Sequence, residues 1–244
     1  MNARLSAALI AVALGTLSTT QLAAQKAAKP PLSATVDLGF VNTAGNTDVT
    51  TLNGAEKVGY TSGPVGVSQH FSVVYGRSAG VTNASDWKAG ARLDYTVDDG
   101  VGVFALGTFE RNTFAGFKWY FEEAAGLAAT LVNSGGNLLK AELGASLNQQ
   151  RSLTDSTNSF IAARVAATYR RNLTDAAYVQ EEASALPNLQ QTKDLRINSE
   201  TSLVAPISNR IAVKMSYAIR FDNLPEPGFK KTDRIFTSGL QIVF

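Results

Sequence analysis

The feature that most constrains the fold is a strict alternation of apolar and polar residues in RIAVKMSYAIRFD, residues 210–222. Side chains point to opposite faces along a β-strand, so the odd positions from Ile211 to Phe221 form an apolar face and the even positions a charged or small one. The stretch is about twice the ordinary strand length of roughly five or six residues. A tilted strand crosses a bilayer with about 9–11 residues, so the pattern predicts a membrane-spanning β-strand.

The same alternation recurs along the chain. The clearest further segments are residues 32–40, 88–97, 139–148, 161–170 and 195–203. We predict about twelve strands in all, the weakest of them at residues 50–60 and 177–186. Aromatic residues are expected near both membrane interfaces, as is typical of membrane proteins. At one level they are Trp87, Phe109, Tyr217, Phe221 and Phe236, and at the other Tyr60, Phe104, Tyr169 and Phe244.

The connections between these segments alternate in length, and Gly, Pro, Asn and Asp supply their turns. The short ones are residues 62–66, 98–100, 133–137, 172–176 and 206–209. The longer polar ones are residues 43–48, 78–85, 112–118, 151–158, 187–194 and 224–233. This order predicts an all-β fold, a transmembrane antiparallel up-and-down β-barrel over residues 32–244. A soluble β-sandwich, the alternative, would not need strands this long.

The N-terminal residues 1–24 have the three parts of a secretory signal peptide. Arg4 gives the positive start, Ala7–Leu17 the apolar run, and small residues lead to a cleavage site after Ala24. We therefore expect export, a short periplasmic tail over residues 25–31, and a barrel in the outer membrane of a Gram-negative bacterium. Outer-membrane lipid and lipopolysaccharide are the expected surroundings. For an exported chain of formal net charge +2, nucleic acid is not an expected partner.

The chain ends on RIFTSGLQIVF, an amphipathic strand with a terminal aromatic residue. Its membrane-facing positions include Phe236, Leu240 and Ile242, and Phe244 is expected at the periplasmic interface. The stretch resembles the C-terminal signal by which bacterial outer-membrane barrels are recognised for assembly. That resemblance implies transient contacts with the barrel-assembly machinery and periplasmic chaperones.

Three segments carry a family resemblance: LGFVNTAGNTDVTTLN (38–53), FERNTFAG (109–116) and DNLPEPGFKKTDRIFTSGLQIVF (222–244). They resemble the family of salt-induced outer-membrane proteins, and the likeness extends over residues 32–244. GNTD at 45–48 and PGFKKTD at 227–233 are its most specific parts, although Phe229 separates the glycine from the lysines here. The resemblance implies an outer-membrane barrel linked to salt or osmotic stress, with no catalytic residues to carry over.

Strand parity predicts a set of charged side chains that line the lumen. They are Lys88, Arg92, Asp94, Glu110, Lys140, Glu142, Arg164, Arg170, Glu182, Arg196, Glu200, Lys214, Arg220 and Asp222. Barrels of about eight strands are filled by side chains, while those of roughly 16–18 hold a channel. Two interpretations therefore stay open: a narrow water-filled pore, and a closed lumen filled by ion pairs. A filled barrel with an adhesion or receptor role is the corresponding alternative function.

Enzymatic and metal chemistry are weaker alternatives. His70 and Ser72 form a His-x-Ser pair like that of outer-membrane lipid hydrolases, but parity turns it towards the lumen and its surroundings lack an oxyanion hole. Asn46 and Asp48 offer too few ligands for Ca²⁺, and residues 100–107 open a strand rather than a nucleotide-binding helix. We expect no metal, no cofactor and no enzyme. The preferred function is a small passive pore or an envelope-integrity component.

Overall fold

The computed structural model describes residues 31–43, 49–78 and 80–244. In these residues twelve antiparallel strands form one closed barrel, as predicted. The strands are β1 (Leu32–Thr43), β2 (Val49–Ser62), β3 (Val65–Ser78), β4 (Val81–Asp98), β5 (Val101–Asn112), β6 (Phe117–Ser134), β7 (Asn137–Ser152), β8 (Thr157–Asn172), β9 (Tyr178–Pro187), β10 (Leu195–Pro206), β11 (Ile211–Asp222) and β12 (Thr232–Val243). The predicted signal peptide, residues 25–30 of the predicted tail and the GNTD turn lie outside the described residues.

Each strand pairs with its neighbours in sequence, and β12 pairs with β1 to close the barrel. The two weakest predictions, at residues 50–60 and 177–186, correspond to the full strands β2 and β9. Among the residues described, no helix is long and apolar enough to cross a membrane.

The two faces of the sheet differ as the alternation predicts. On β11, Met215 and Tyr217 are exposed, whereas Ser216 between them is buried. Ala212, near the start of the strand, is buried as well. The outward face is apolar along most strands, with exposed Leu, Val, Ile and aromatic side chains. A face of this kind suits contact with hydrocarbon, because burying apolar surface away from water is favourable.

One predicted loop is wrong. Residues 78–85 were expected to form a long connection, but β3 continues to Ser78 and β4 begins at Val81. The Arg77 guanidinium donates two hydrogen bonds to the Gly80 carbonyl at 2.8 and 3.2 Å, and a β-bulge lies at Gly76/Arg77. These contacts hold a tight hairpin, so the polar composition of the segment does not produce a loop.

One predicted interface aromatic is also wrong. Phe104 lies opposite Asp94 on the polar face and is only 3% exposed. The guanidinium of Arg92 lies 4.5 Å from its ring centroid. Phe104 is therefore a packed interior residue and not part of an aromatic belt.

Two glycine pairs let neighbouring strands approach each other closely. Gly126 and Gly144 are partners on β6 and β7, and a Cβ on either would meet the backbone of the other strand. Gly39 and Gly239 approach each other in the same way where β1 meets β12. In the strand order these two interfaces lie on opposite sides of the barrel. Glycine is the residue that permits such close backbone approach at barrel corners.

We predict that Gly144→Ala destabilises the barrel by about 1–3 kcal/mol, because its methyl group would overlap the backbone of β6. The measurement is the free energy of unfolding in guanidinium of protein refolded into detergent micelles or thin bilayers. Gly107→Ala is the matched control, since a Cβ there meets nothing within 4 Å. Equal losses of stability for the two variants would contradict the close approach.

Candidate functional site

The polar faces of distant strands meet inside the barrel through Arg220. Its Nη1 lies 2.6 Å from Asp86 Oδ2 on β4 and 3.1 Å from Glu110 Oε1 on β5. Lys88 Nζ lies 3.6 Å from the other Glu110 oxygen. Because β11 is not adjacent to β4 or β5, this contact crosses the interior. Asp86 and Glu110 are both buried, and buried carboxylates require such partners.

A second crossing joins β4 to β7 and β6 to β8. Arg92 Nη1 lies 2.8 Å from Glu142 Oε1, and Arg92 also pairs with Asp94. Arg164 Nη1 lies 2.9 Å from Glu122 Oε1, with Glu142 3.8 Å from its other terminal nitrogen. The guanidinium fork suits such two-sided pairing with carboxylates.

An aromatic cluster fills the lumen at the end that carries the longer connections, which we call the long-loop end. Tyr120, Phe160 and Leu186 are buried together there with Ala162. The Arg196 guanidinium lies 5.0 Å from the ring centroids of both Tyr120 and Phe160. These residues come from β6, β8, β9 and β10, so their side chains meet in the interior.

The connection 223–231 crosses the mouth at the long-loop end. Gln150 Nε2 on β7 donates a 3.0 Å hydrogen bond to Glu226 Oε1 of this connection. A Cβ added to Gly116, between β5 and β6, would meet both Glu226 and Phe229. Since β12 stands opposite β6 and β7 in the strand order, the connection covers the mouth from side to side.

Ion pairs hold the neighbouring connection between β7 and β8, residues 153–156. Lys118 Nζ lies 2.6 Å from Asp155 Oδ1, and Arg151 Nε lies 3.0 Å from the same oxygen. The hydrogen bond from Lys118 holds the pKa of Asp155 below its ordinary value, and the Arg151 charge acts in the same direction. The pair of cations thus favours a charged carboxylate beside the mouth.

The opposite half of the lumen, at what we call the short-turn end, is more open. Lys140, near this end, and Glu182 and Glu200, at the middle of their strands, are exposed although they alternate with the outward residues of those strands. Arg170 lies near this end, with its guanidinium 3.5 Å from the Tyr178 ring centroid. The side chains are therefore packed more densely at the long-loop end than in the middle and short-turn parts of the lumen.

Most of the predicted lumen residues make ion pairs with one another or with a cross-strand partner. Those joined are Lys88, Arg92, Asp94, Glu110, Glu142, Arg164, Arg196, Lys214, Arg220 and Asp222. The prediction missed several of their partners, namely Asp37, Asp86, Glu122 and Asp194. Asp37 and Asp86 could have been found, because each has the parity of the polar face in its strand. In β6, Glu122 and Glu123 are adjacent, so composition alone does not select one.

Three carboxylates stand on the apolar face, which the alternation did not predict: Glu123, opposite Leu147, and Glu56 and Glu181, which have polar neighbours. Glu56 lies opposite Val36 and accepts a 2.9 Å hydrogen bond from Gln69. Glu181 lies opposite Tyr169 and accepts hydrogen bonds from Ser199, at 2.6 Å, and Thr201. In both places neighbouring polar side chains supply partners that hydrocarbon lacks.

His70 and Ser72 lie on one face of β3, as the sequence predicts. The cross-strand partners of His70 are Lys57 and Gly90, and those of Ser72 are Ala55 and Lys88. No carboxylate occupies a partner position that could orient the imidazole, as a catalytic triad needs. In the described part of the chain, no group of three or more His, Cys, Asp or Glu residues is placed to hold a metal ion.

A protein-family model described as "Protein of unknown function, DUF481" matches residues 36–244. The chain belongs to this family. The match covers nearly the same residues as the resemblance to salt-induced outer-membrane proteins, whose link to salt stays a prediction. No curated protein matches the chain in sequence.

Solved structures resemble the DUF481 chain at the level of fold. The NanC porin is 8% identical, with a TM-score of 0.51 over 86% of this chain and 98% of that chain. The translocator domain of the autotransporter NalP from Neisseria meningitidis is 12% identical, with a TM-score of 0.46 over 87% and 86%. An anion-selective porin from Comamonas acidovorans is 9% identical, with a TM-score of 0.41 over 87% and 98%. The first match shows a shared β-barrel fold.

We predict that Arg220→Ala lowers the free energy of unfolding by about 3–5 kcal/mol, because it leaves Asp86 and Glu110 buried without their partner. Denaturant unfolding of the refolded protein measures the loss. Arg210→Ala, at an exposed turn, is the matched control and should change stability by less than about 0.5 kcal/mol. Adding Asp86→Asn to Arg220→Ala should recover part of the loss, and an additive double variant would contradict the pairing.

Proposed function

We propose that this barrel is a non-enzymatic outer-membrane protein that passes small solutes through a narrow lumen. The observation that carries the proposal is the contrast between the two ends. Lys140, near the short-turn end, and Glu200, at mid-strand, stay exposed, whereas Arg220 and its partners close the lumen near the long-loop end. An interior kept only for stability has no need of exposed charges, since these give little stabilisation.

The constriction suits small hydrated ions or small polar solutes rather than large ones. Cations and carboxylates alternate along it, as in Arg92–Glu142 and Arg220–Asp86. Such a mixed lining favours neither sign of charge strongly. The connection 223–231 also lies over the mouth. If it moved away from Gln150, the mouth would widen.

A filled barrel that supports the cell envelope, with an adhesion or receptor role at its loops, is the second candidate. Its support is the packed cluster at the long-loop end, where Phe160, Ala162 and Leu186 are almost wholly buried. Such a plug blocks flow unless it moves. The two candidates differ in ionic conductance, which a pore has and a filled barrel lacks.

An outer-membrane location is supported by the apolar outward face and by the aromatic end of β12. Phe244 is exposed there, as is Phe236 near the other end of β12, and the Phe244 backbone N–H donates to the Ala34 carbonyl at 3.0 Å. Lys230 and Lys231, in the connection over the mouth, are suited to contact lipopolysaccharide phosphates. The resemblance to salt-induced proteins supports a role under salt or osmotic stress.

For the pore, we expect discrete low-conductance steps from the wild type in planar bilayers. Replacing residues 224–230 with a short Gly-Ser connection should raise the step size several-fold, because it removes the cover of the mouth. Arg220→Ala should act in the same direction, and Arg210→Ala should leave the steps unchanged. Silence from the wild type and from both widened variants, with insertion verified, would contradict the pore and favour the filled barrel.

For location and assembly, we expect the wild type in the outer-membrane fraction and a marked fall in its amount for Phe244→Ala. The aromatic residue is the proposed recognition element for the barrel-assembly machinery. Leu173→Ala, at an exposed connection, is the control and should assemble normally. Equal assembly of the two variants would contradict the recognition role.

For the osmotic role, we expect a strain without this protein to grow more slowly than the wild type in raised NaCl. Unimpaired growth would contradict that role.

A further inference from the structure

The closing seam between β1 and β12 is far shorter than the other strand interfaces. Its pairing comprises four residue pairs, Thr35–Val243 to Leu38–Leu240. The next shortest interface, β8 with β9, comprises eight. Within the described residues, β1 continues to Thr43 paired only with β2, and β12 from Thr232 to Gly239 is paired only with β11.

The pairing ends at a specific place. Gly39 and Gly239 follow the last pair, and a Cβ on Gly239 would meet the backbone of Leu38. Beyond them the outward residues Phe40 and Phe236 are 63% and 66% exposed. Backbone groups without partners are costly in hydrocarbon, where no water can bind them. Backbone groups of this part of the seam that face hydrocarbon would therefore be stabilised by a polar partner from outside the ladder.

A clamp inside the lumen holds the short paired part together. Asp37 on β1 accepts a 2.6 Å hydrogen bond from Lys214 Nζ on β11 and a 2.9 Å hydrogen bond from Gln241 Nε2 on β12. All three side chains are at most partly exposed. The clamp joins β1 to both strands on the other side of the seam, so its strength governs whether the seam can part.

A cavity of about 120 Å³ lies at this point of the wall. From the outward face its lining includes Leu38, Val73 and Leu240. From the lumen face it includes Asn53, Ser72, Ser216 and Thr237, besides the Asp37–Lys214 pair. Apolar side chains therefore lie on the bilayer side of the cavity, and hydroxyl and amide groups lie on the lumen side.

We propose that the seam is a lateral opening that binds a single-chain amphiphile from the bilayer. Its acyl chain lies against Leu38 and Leu240, and its polar head reaches Asn53 and Thr237. The head is uncharged or zwitterionic, because Asp37 and Lys214 neutralise each other beside the site. The head also supplies the polar groups that the unpaired backbone lacks. The lumen thus exchanges amphiphiles with the membrane, a function independent of ion flow along the axis.

The test uses a lysophosphatidylcholine that carries a photoactivatable diazirine on its head group, added to the protein in bilayers. After illumination, mass spectrometry should find label on peptides that contain Asn53 and Thr237 as well as on outward positions. Lipid that merely surrounds the barrel labels outward positions alone, and that result would overturn the proposal.

Cross-linking provides the matched control. The chain contains no native cysteine, so only the introduced thiols can react. The pair Phe40→Cys and Ser238→Cys, joined by oxidation or a short bismaleimide, should lower labelling at Asn53 and Thr237 several-fold. Leu52→Cys with Tyr75→Cys, partners on the fully paired β2–β3 wall, should not. Equal lumen labelling before and after the seam is joined would overturn the opening.

Two further variants keep the result decisive if the seam thiols fail to join. Asp37→Asn removes the ion pair with Lys214 but preserves the side-chain shape, and it should raise lumen labelling several-fold. Asp94→Asn, which alters a lumen carboxylate away from the seam, should not. A disulfide-linked dimer of Ser238→Cys alone would assign the edge to a second copy of the chain and overturn the proposal. Ionic conductance should be equal with the seam joined or free, so a failed pore leaves this result intact.

Discussion

The structure depends on one constraint, that a backbone in hydrocarbon must find its hydrogen-bond partners within the protein. A sheet meets this constraint only by closing, because each edge strand exposes unpaired N–H and C=O groups. The length of the strands and the return of β12 to β1 follow from it. The short ladder at the β1–β12 seam is the place where the constraint is least fully met. An outside molecule that supplies hydrogen-bond partners would therefore stabilise the barrel most at this seam.

Closure decides what the side chains must do. Residues of one parity face lipid and are mostly apolar. Charged residues of the other parity point into the lumen, where their partners are water and one another. Arg220, Arg92 and Arg164 each reach a carboxylate on a non-neighbouring strand. These crossings neutralise buried charge. In the proposed pore, the same contacts would also narrow the passage.

The strands and their faces could be predicted from the sequence because period-2 alternation is a local property. It predicted β11 and, more weakly, β2 and β9. Contacts such as Arg220–Asp86 could not be predicted, since they depend on how far apart two non-adjacent strands stand in the closed barrel. The polar composition of residues 78–85 predicts a loop, but Arg77 holds a tight turn between Ser78 and Val81. Composition does not reveal such a side-chain contact. The aromatic character of Phe104 predicts an interface residue, but its parity in β5 turns the ring inward beside Arg92.

The most direct test of the account is a spin-label scan along β11, one cysteine at a time from Ile211 to Asp222 in the cysteine-free chain. Collision with dissolved oxygen in bilayers reports contact with hydrocarbon, and collision with a water-soluble nickel complex reports contact with water. The account predicts high oxygen accessibility at odd positions such as Met215 and Tyr217, and low accessibility at Ser216 and Ala218. Accessibility without this two-residue period, or an odd face that collides mainly with the nickel complex, would contradict it.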